Sequence, residues 1–399
     1  MLIPGRPEFG HLSYCTNIHP AETWPETLAE LRRHLPTIRE EVSPGRPFGV
    51  GLRLAASAAE TLVEREGAMS ELRSLLKDQN AYVFTINGFP YGDFHKRRVK
   101  EQVYAPDWAE PDRLLYTNRL ADILAQLLPA DVDGSVSTVP GTFRVWADAE
   151  RLEKITENLV RHAAYLVLLR ERTERAIALA LEPEPRCLME TTEEAAEFFQ
   201  TKLYGDDAAS LMAALTGLTR GGAADALRRH LGLCYDVCHA AVEFEDARQS
   251  VALLREKGVP VFKLQLSSAL RVAKMSEAIA ERLRPFDEPI YLHQVVGRNG
   301  AALHRWTDLP DALAELPSAL GSEWRVHFHV PVFLSEMEHF STTQDFLREI
   351  LALHREAPIS NHLEVETYTW DVLPERHRGV PVSQAIAREL KWVVDQLSS

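Results

Sequence analysis

The sequence predicts an α/β fold, a closed (β/α)8 TIM barrel, and three observations predict it. Apolar strand-like runs alternate with amphipathic helical stretches from Ser13 to Trp370. Runs such as Ala176-Ile-Ala-Leu-Ala-Leu181 are continuously apolar, the pattern of parallel strands buried on both faces. The glycine fingerprints G-x-G-x-x-G and G-x-x-x-x-G-K-[ST], which would favour a nucleotide-binding doubly wound sheet, are absent. Residues 1–399 are therefore read as a single barrel domain with an insertion at about 285–345 that forms a β-hairpin near the C-terminal rim.

The elements follow in order. His11–Asn17 is the first strand, with polar Asn17 and His19 at its end, and helical sequence runs from Trp24 to Glu41. Phe48–Leu54 is a glycine-punctuated second strand, followed by a helix over Ala56–Asp78. Ala81–Asn87 enters a loop dense in aromatic and basic residues: Phe89, Tyr91, Phe94, His95, Lys96, Lys100, Tyr104 and Trp108. Such a loop either covers a pocket or packs on the body. Helical sequence over Asp112–Leu128, a strand at Gly134–Val139 and a long helix ending near Glu174 come next. The fifth strand ends at Glu182, where Pro183 and Pro185 stop it, and Thr191 or Thr192 caps the following helix. Leu231–Asp236 is the sixth strand, with His239 three residues on and a helix over Glu243–Lys257. Val259–Leu266 is the seventh, followed by Ser267 and Ser268 as helix-capping residues.

The rhythm breaks between 285 and 345. Pro289–Gln294 and Ala302–Trp306 flank Gly297-Arg-Asn-Gly300 and read as a hairpin. Trp324–Pro331 is a further strand whose His327 and His329 share a side, because strand side chains alternate. Helical sequence over Thr343–Glu356 precedes the closing strand His362–Trp370. Its Glu364 and Glu366 share a face, which is costly unless they meet solvent, a cation or a proton donor.

Composition narrows the function classes. The chain has 399 residues, 45% hydrophobic and 26% charged, as in an ordinary globular protein. A formal charge of -14 opposes a nucleic-acid partner, which would need a basic face. Cys15, Cys187, Cys234 and Cys238 lack paired C-x-x-C spacing and read as cytosolic thiols. No apolar run reaches the ~18 residues of a membrane span, and no signal-peptide pattern opens the chain. The expected setting is cytoplasmic, with a homo-oligomer left open.

A barrel would bring Glu182, Asp236 with His239, Gln265 and Glu366 to one rim. Their mutual repulsion raises their proton affinity unless a cation neutralises them, and an oxygen-rich site suits Mg²⁺ or Mn²⁺, or Zn²⁺ when histidine joins. Alternatively each carboxylate caps a helix or pairs with an arginine. The H-x-H pair His327 and His329 is a second ligand source, His293 a third, and Asn87, His19 and Glu190 are candidate substrate contacts.

The order Glu182-Pro183, Asp236-Val-Cys-His239 and Glu366 resembles the xylose-isomerase-like barrels, which include sugar epimerases and endonuclease IV. Tyr14–Trp24, Thr85–Tyr91, Arg325–Pro331 and Glu364–Trp370 together look like the EboE family of metabolite traffic proteins, over most of the chain. The superfamily resemblance implies one to three divalent ions, with Glu182, Asp236 and Glu366 as ligands and His239 as ligand or substrate contact. Where that superfamily presents a strand-seven histidine, this chain has Gln265. Either its amide oxygen coordinates, or His329 or His293 supplies the imidazole, or no metal binds.

The expected function is a metal-dependent isomerase or epimerase of a small sugar, cyclitol or polyol, phosphorylated or not, with Glu182 and Glu366 as acid and base. The rival is a metabolite-binding or traffic protein that keeps the barrel without turnover. An endonuclease IV-like phosphodiesterase is disfavoured by the acidic charge.

Overall fold

The computed structural model describes residues 1–92, 99–370, 373 and 379–398, so Phe94, His95 and Lys96 lie outside the described residues. Eight parallel strands form the barrel: β1 (His11–Tyr14), β2 (Phe48–Arg53), β3 (Ala81–Asn87), β4 (Gly134–Thr138), β5 (Ile177–Leu181), β6 (Leu231–Asp236), β7 (Val261–Leu266) and, after an insertion that supplies β8 to β13, β14 (His362–Val365). Their order is β1-β14-β7-β6-β5-β4-β3-β2, and a parallel bridge between Cys15 and Gly51 joins the two ends. This bridge brings the barrel near to closure. Helices between the strands lie outside the sheet as βαβ chirality requires.

The insertion is a complete second sheet. It comprises β8 (Leu270–Val272), β9 (Val295–Asn299), β10 (Ala302–Trp306), β11 (Glu323–Val326), β12 (Glu336–Met337) and β13 (Phe340–Thr342), in the order β10-β9-β11-β8-β13-β12, with antiparallel pairing. It starts upstream of the expected residue 285, because Ser267 and Ser268 lead into β8 and not into a helix. Ser267 spends its hydroxyl on Asp236 (Oγ to Oδ1, 2.6 Å). The hairpin pairs β9 with β10 through Gly300, whose φ of +60° is open to glycine at little cost, so its first strand lies after Gln294. The strand expected at Trp324–Pro331 ends at Val326, which leaves both histidines in irregular backbone.

Two helices also divide. Ala56–Asp78 breaks between Glu64 and Ala68, and the stretch after β6 forms Val237–Val242 and Ala247–Glu256, separated where Phe244 takes a φ of +58°. The first of these turns begins directly at Asp236, which caps it.

The barrel interior is polar at mid-height. Lys263 Nζ lies 2.5 Å from Glu364 Oε1 and 3.1 Å from Ser137 Oγ, and both charged side chains are fully buried. Ser13 Oγ donates to Glu364 Oε2 at 3.3 Å. Gly51 makes this possible: a Cβ there would stand 1.6 Å from Glu364 Oε2. Removing one partner of a buried ion pair leaves the other uncompensated. Lys263→Met is expected to cost roughly 3–5 kcal/mol in urea unfolding, and adding Glu364→Gln to recover much of it. A loss under about 1 kcal/mol for Lys263→Met would contradict the pair.

Candidate metal centre

One layer above that pair, the strand ends bring Glu182, Asp236 and Glu366 together, with their carboxylate oxygens within 4.8 Å of one another and all three side chains buried. Asp236 Oδ1 is fully used: it accepts from the amides of Cys238 (2.7 Å) and His239 (3.1 Å) and from Ser267. That cap turns the chain into a short helix whose third residue is His239, with Nε2 3.8 Å from Asp236 Oδ2. Oδ2 itself is buried and has no hydrogen-bond partner among the described residues.

Glu366 is held by side-chain amides. Asn17 and Asn87 donate to Oε1 at 2.5 and 3.1 Å, and Gln265 donates to Oε2. Gln265 Nε2 also lies 3.4 Å from Glu182 Oε1, while its Oε1 accepts from the Cys234 thiol at 3.7 Å. The strand-seven glutamine thus turns its N–H₂ group, and not its oxygen, towards the carboxylates. Burial raises the Glu182 carboxyl well above the usual range, with Glu366 and Asp236 adding to the effect. Burial and Asp236 likewise push Glu366 up to about 7. For Asp236, burial acts upward but is outweighed by His239, His329 and the Ser267 bond, so it is held low.

Three imidazoles face this group. The Nδ1 atoms of His239, His327 and His329 lie 2.8, 2.7 and 3.0 Å from Pro183 O, Gln294 Oε1 and Glu366 O. Carbonyl oxygens only accept, so each Nδ1 carries the proton and each Nε2 presents its lone pair inward. His239 and His329 Nε2 each lie 3.1 Å from His327 Nε2. Two bare lone pairs at that distance repel unless a proton or a cation sits between them. Around an ion with Zn–N bonds of ~2.0–2.1 Å, ligand nitrogens of a tetrahedral site sit about 3.3 Å apart. Histidines that donate Nδ1–H to a carbonyl while offering Nε2 have the usual arrangement of metal ligands.

The residues present therefore fit a divalent cation: an orphaned Asp236 oxygen, convergent lone pairs, and carboxylates that repel in its absence. Asp236, His239 and His329 form one possible ligand set, Glu184, His239 and His327 another, and Glu182, Asp236 and Glu366 a third. A cleft opens onto the cluster, with Glu182, Glu184, His239, His327, His329 and Glu366 on its floor and Phe89, Val99, Leu292 and Tyr291 on its walls. The loop after β3 thus contributes to the cleft.

Two of the predicted substrate contacts face elsewhere. Glu190 accepts the Arg186 amide at 2.8 Å and sits 3.5 Å from both Arg144 and Arg305, so it closes a loop against the insertion and does not line the cleft. His19 stacks on His34 with ring centroids 4.2 Å apart and bonds Tyr14 (3.2 Å). In the His19, Glu30 and His34 group both His34 nitrogens are hydrogen-bonded, Nδ1 to Ser383 (2.7 Å) and Nε2 to Glu30 (3.0 Å). His293 spends Nδ1 on His327 O (2.9 Å) and Nε2 on Glu288 (3.0 Å), which leaves it no free lone pair for a metal. Asn87 does reach the cleft, as a donor to Glu366.

Sequence reasoning passed over Glu184 and Gln294, and named Tyr104 only within the aromatic loop after Ala81–Asn87. The Glu182-Pro-Glu184 spacing signals the first, since alternate residues leaving a strand share a side. Nothing local signals Gln294.

No protein-family model and no curated protein matches the chain. Among solved structures it is similar to an L-ribulose 3-epimerase, at 12% identity over 98% of this chain and 95% of that one, with a TM-score of 0.47. It is similar to the IolI protein with a zinc atom, at 14% identity over 97% and 98%, TM-score 0.45. It is also similar to AsbF of Bacillus anthracis, a probable 3-DHS dehydratase involved in petrobactin synthesis, at 14% identity over 96% and 97%, TM-score 0.42. At these TM-scores the likeness carries no weight of its own, and the barrel is read from its strand order and closing bridge.

Burial lowers the proton affinity of His327 and brings His329 down to about 4, whereas Asp236 and Glu184 overcome burial at His239 and raise it. Groups with raised pKa hold protons near pH 6 that an incoming cation must expel. Zinc affinity of the metal-free protein should therefore rise between pH 6 and 8, with proton release seen by calorimetry in buffers of different ionisation enthalpy. Affinity that is flat with pH, with no proton release, would contradict this charge assignment.

Proposed function

We propose that the protein is a divalent-metal-dependent isomerase or epimerase of a small sugar, cyclitol or polyol-derived metabolite. The observation that supports it most is the pairing of two buried carboxyls, Glu182 and Glu366, on the floor of one cleft beside a ligand set for a cation. Asp236, His239, His327 and His329, with the two glutamates, would hold the ion. Bound there, it would supply electrophilic polarisation of neighbouring substrate oxygens, acidifying the C–H between them.

The chain's own groups then do the proton work. Glu366, on the cleft floor, is placed to take and return a proton. Its amide donors Asn17, Asn87 and Gln265 hold the carboxylate in one orientation throughout. Glu182, on the same cleft floor, serves as the partner group in the proton transfer. The apolar walls exclude water, which protects a carbanion-like species from quenching. A cytoplasmic setting suits this reading, and the four cysteines are free thiols.

One observation favours a second reading, a metabolite-binding or traffic protein like the EboE family it resembles. Gln265 donates to both acid–base candidates, which restrains them. The test is incubation of the zinc- or manganese-loaded protein with a panel of ketoses and cyclitols in D₂O, followed by mass spectrometry. Deuterium should enter at one carbon-bound position, with Glu366→Gln lowering the rate at least 100-fold. Binding without exchange across the panel supports the traffic reading, and exchange undiminished in Glu366→Gln removes Glu366 from the mechanism.

A further inference from the structure

We infer that Gln294 is a positioning residue of the metal centre, fixing which nitrogen of His327 faces the cation. This rests on the metal reading above. Gln294 sits just before β9 in the inserted sheet, fully buried, and its main-chain oxygen accepts the His327 amide at 2.8 Å. Its side-chain Nε2 lies 3.0 Å from Pro185 O, 2.8 Å from Tyr104 Oη and 3.4 Å from Glu184 Oε1. Its Oε1 lies 2.7 Å from His327 Nδ1.

The polarity of this chain of bonds has one solution. Pro185 O has no hydrogen to give, so the amide must present its N–H₂ to it. Tyr104 gives its own hydrogen to Glu184 Oε1 at 2.6 Å, so its oxygen accepts the second amide hydrogen. The amide oxygen then faces His327 Nδ1, which must be protonated, and Nε2 is left as the bare atom between His239 and His329. The locks on His239 and His329 are main-chain carbonyls, which no substitution removes. For His327 the lock is a side chain. Without it, Glu184 Oε1 lies 3.8 Å from Nδ1, and a ring turned towards that carboxylate no longer aims Nε2 at the cluster.

The test uses the full-length protein stripped of metal, in wild type and Gln294→Met, where methionine keeps the bulk and removes the bond. Zinc alone is titrated by calorimetry, and ring nitrogen spectra of ¹⁵N-histidine-labelled apoprotein report the tautomer. Wild-type His327 should be protonated at Nδ1. Gln294→Met should weaken zinc binding about 10- to 100-fold and lose that tautomer. A Met variant that binds zinc weakly while keeping the tautomer would assign Gln294 to packing, and one that binds as tightly as wild type would overturn the inference while leaving the metal reading intact. Wild type that takes up no zinc defeats the metal reading itself, separately from the tautomer. Should Gln294→Met not fold, a wild-type His327 protonated at Nε2 is enough to overturn the assignment.

Discussion

The constraint on which the site depends is electrostatic: Glu182, Asp236 and Glu366 are buried around one point, and the energy of like charges in a dry interior has to be offset. The chain does this in graded ways. Asp236 is kept charged by a helix N-terminus and Ser267. Glu366 is surrounded by three neutral amides, which orient it without neutralising it. Beneath them the only fully buried lysine among the described residues, Lys263, is already committed to Glu364. Positive charge for the rim must come from protons or from an ion, and this is why proton affinity, metal binding and acid–base chemistry belong to one account here.

The second sheet is part of that answer. A (β/α)8 barrel supplies the carboxylates from its strand ends, but two of the three imidazoles come from the segment that leaves β11. Glu389 on the C-terminal helix fastens that segment to the barrel: its Oε1 accepts from the Val332 amide at 3.1 Å and from Thr367 Oγ1 at 2.7 Å, next to Glu366. Thr369 adds a bond to His329 O. The histidine-bearing segment and the Glu366 loop are thus located relative to each other by shared partners, and the precision of the cluster follows from them.

What the sequence revealed follows from locality. The barrel and its eight strands were legible because alternation of apolar strands with amphipathic helices is a short-range pattern. Glu182, Asp236 and Glu366 were legible for the same reason, each lying where an apolar run ends. Gln265 was legible as a position but not as a polarity, since the orientation of its amide depends on Cys234 and on two carboxylates from other strands. His19 and Glu190 share the strand-end signal, yet His34 and an arginine cluster draw them aside. Strand alternation was expected to put His327 and His329 on one side, but β11 ends at Val326 and both lie in irregular backbone. Their direction was set by the fold of the inserted sheet, and Gln294, which touches Tyr104 across 190 residues of sequence, had no local signal at all.

The central claim is that this buried cluster binds a divalent ion, and anomalous diffraction from crystals soaked in zinc tests it most directly. The account predicts a peak at the zinc edge within about 2.0–2.2 Å of Asp236 Oδ2 and of at least one Nε2 among His239, His327 and His329. Zinc-soaked crystals with no anomalous peak among these residues, and with Asp236 Oδ2 bonded instead to a protein donor, would contradict it.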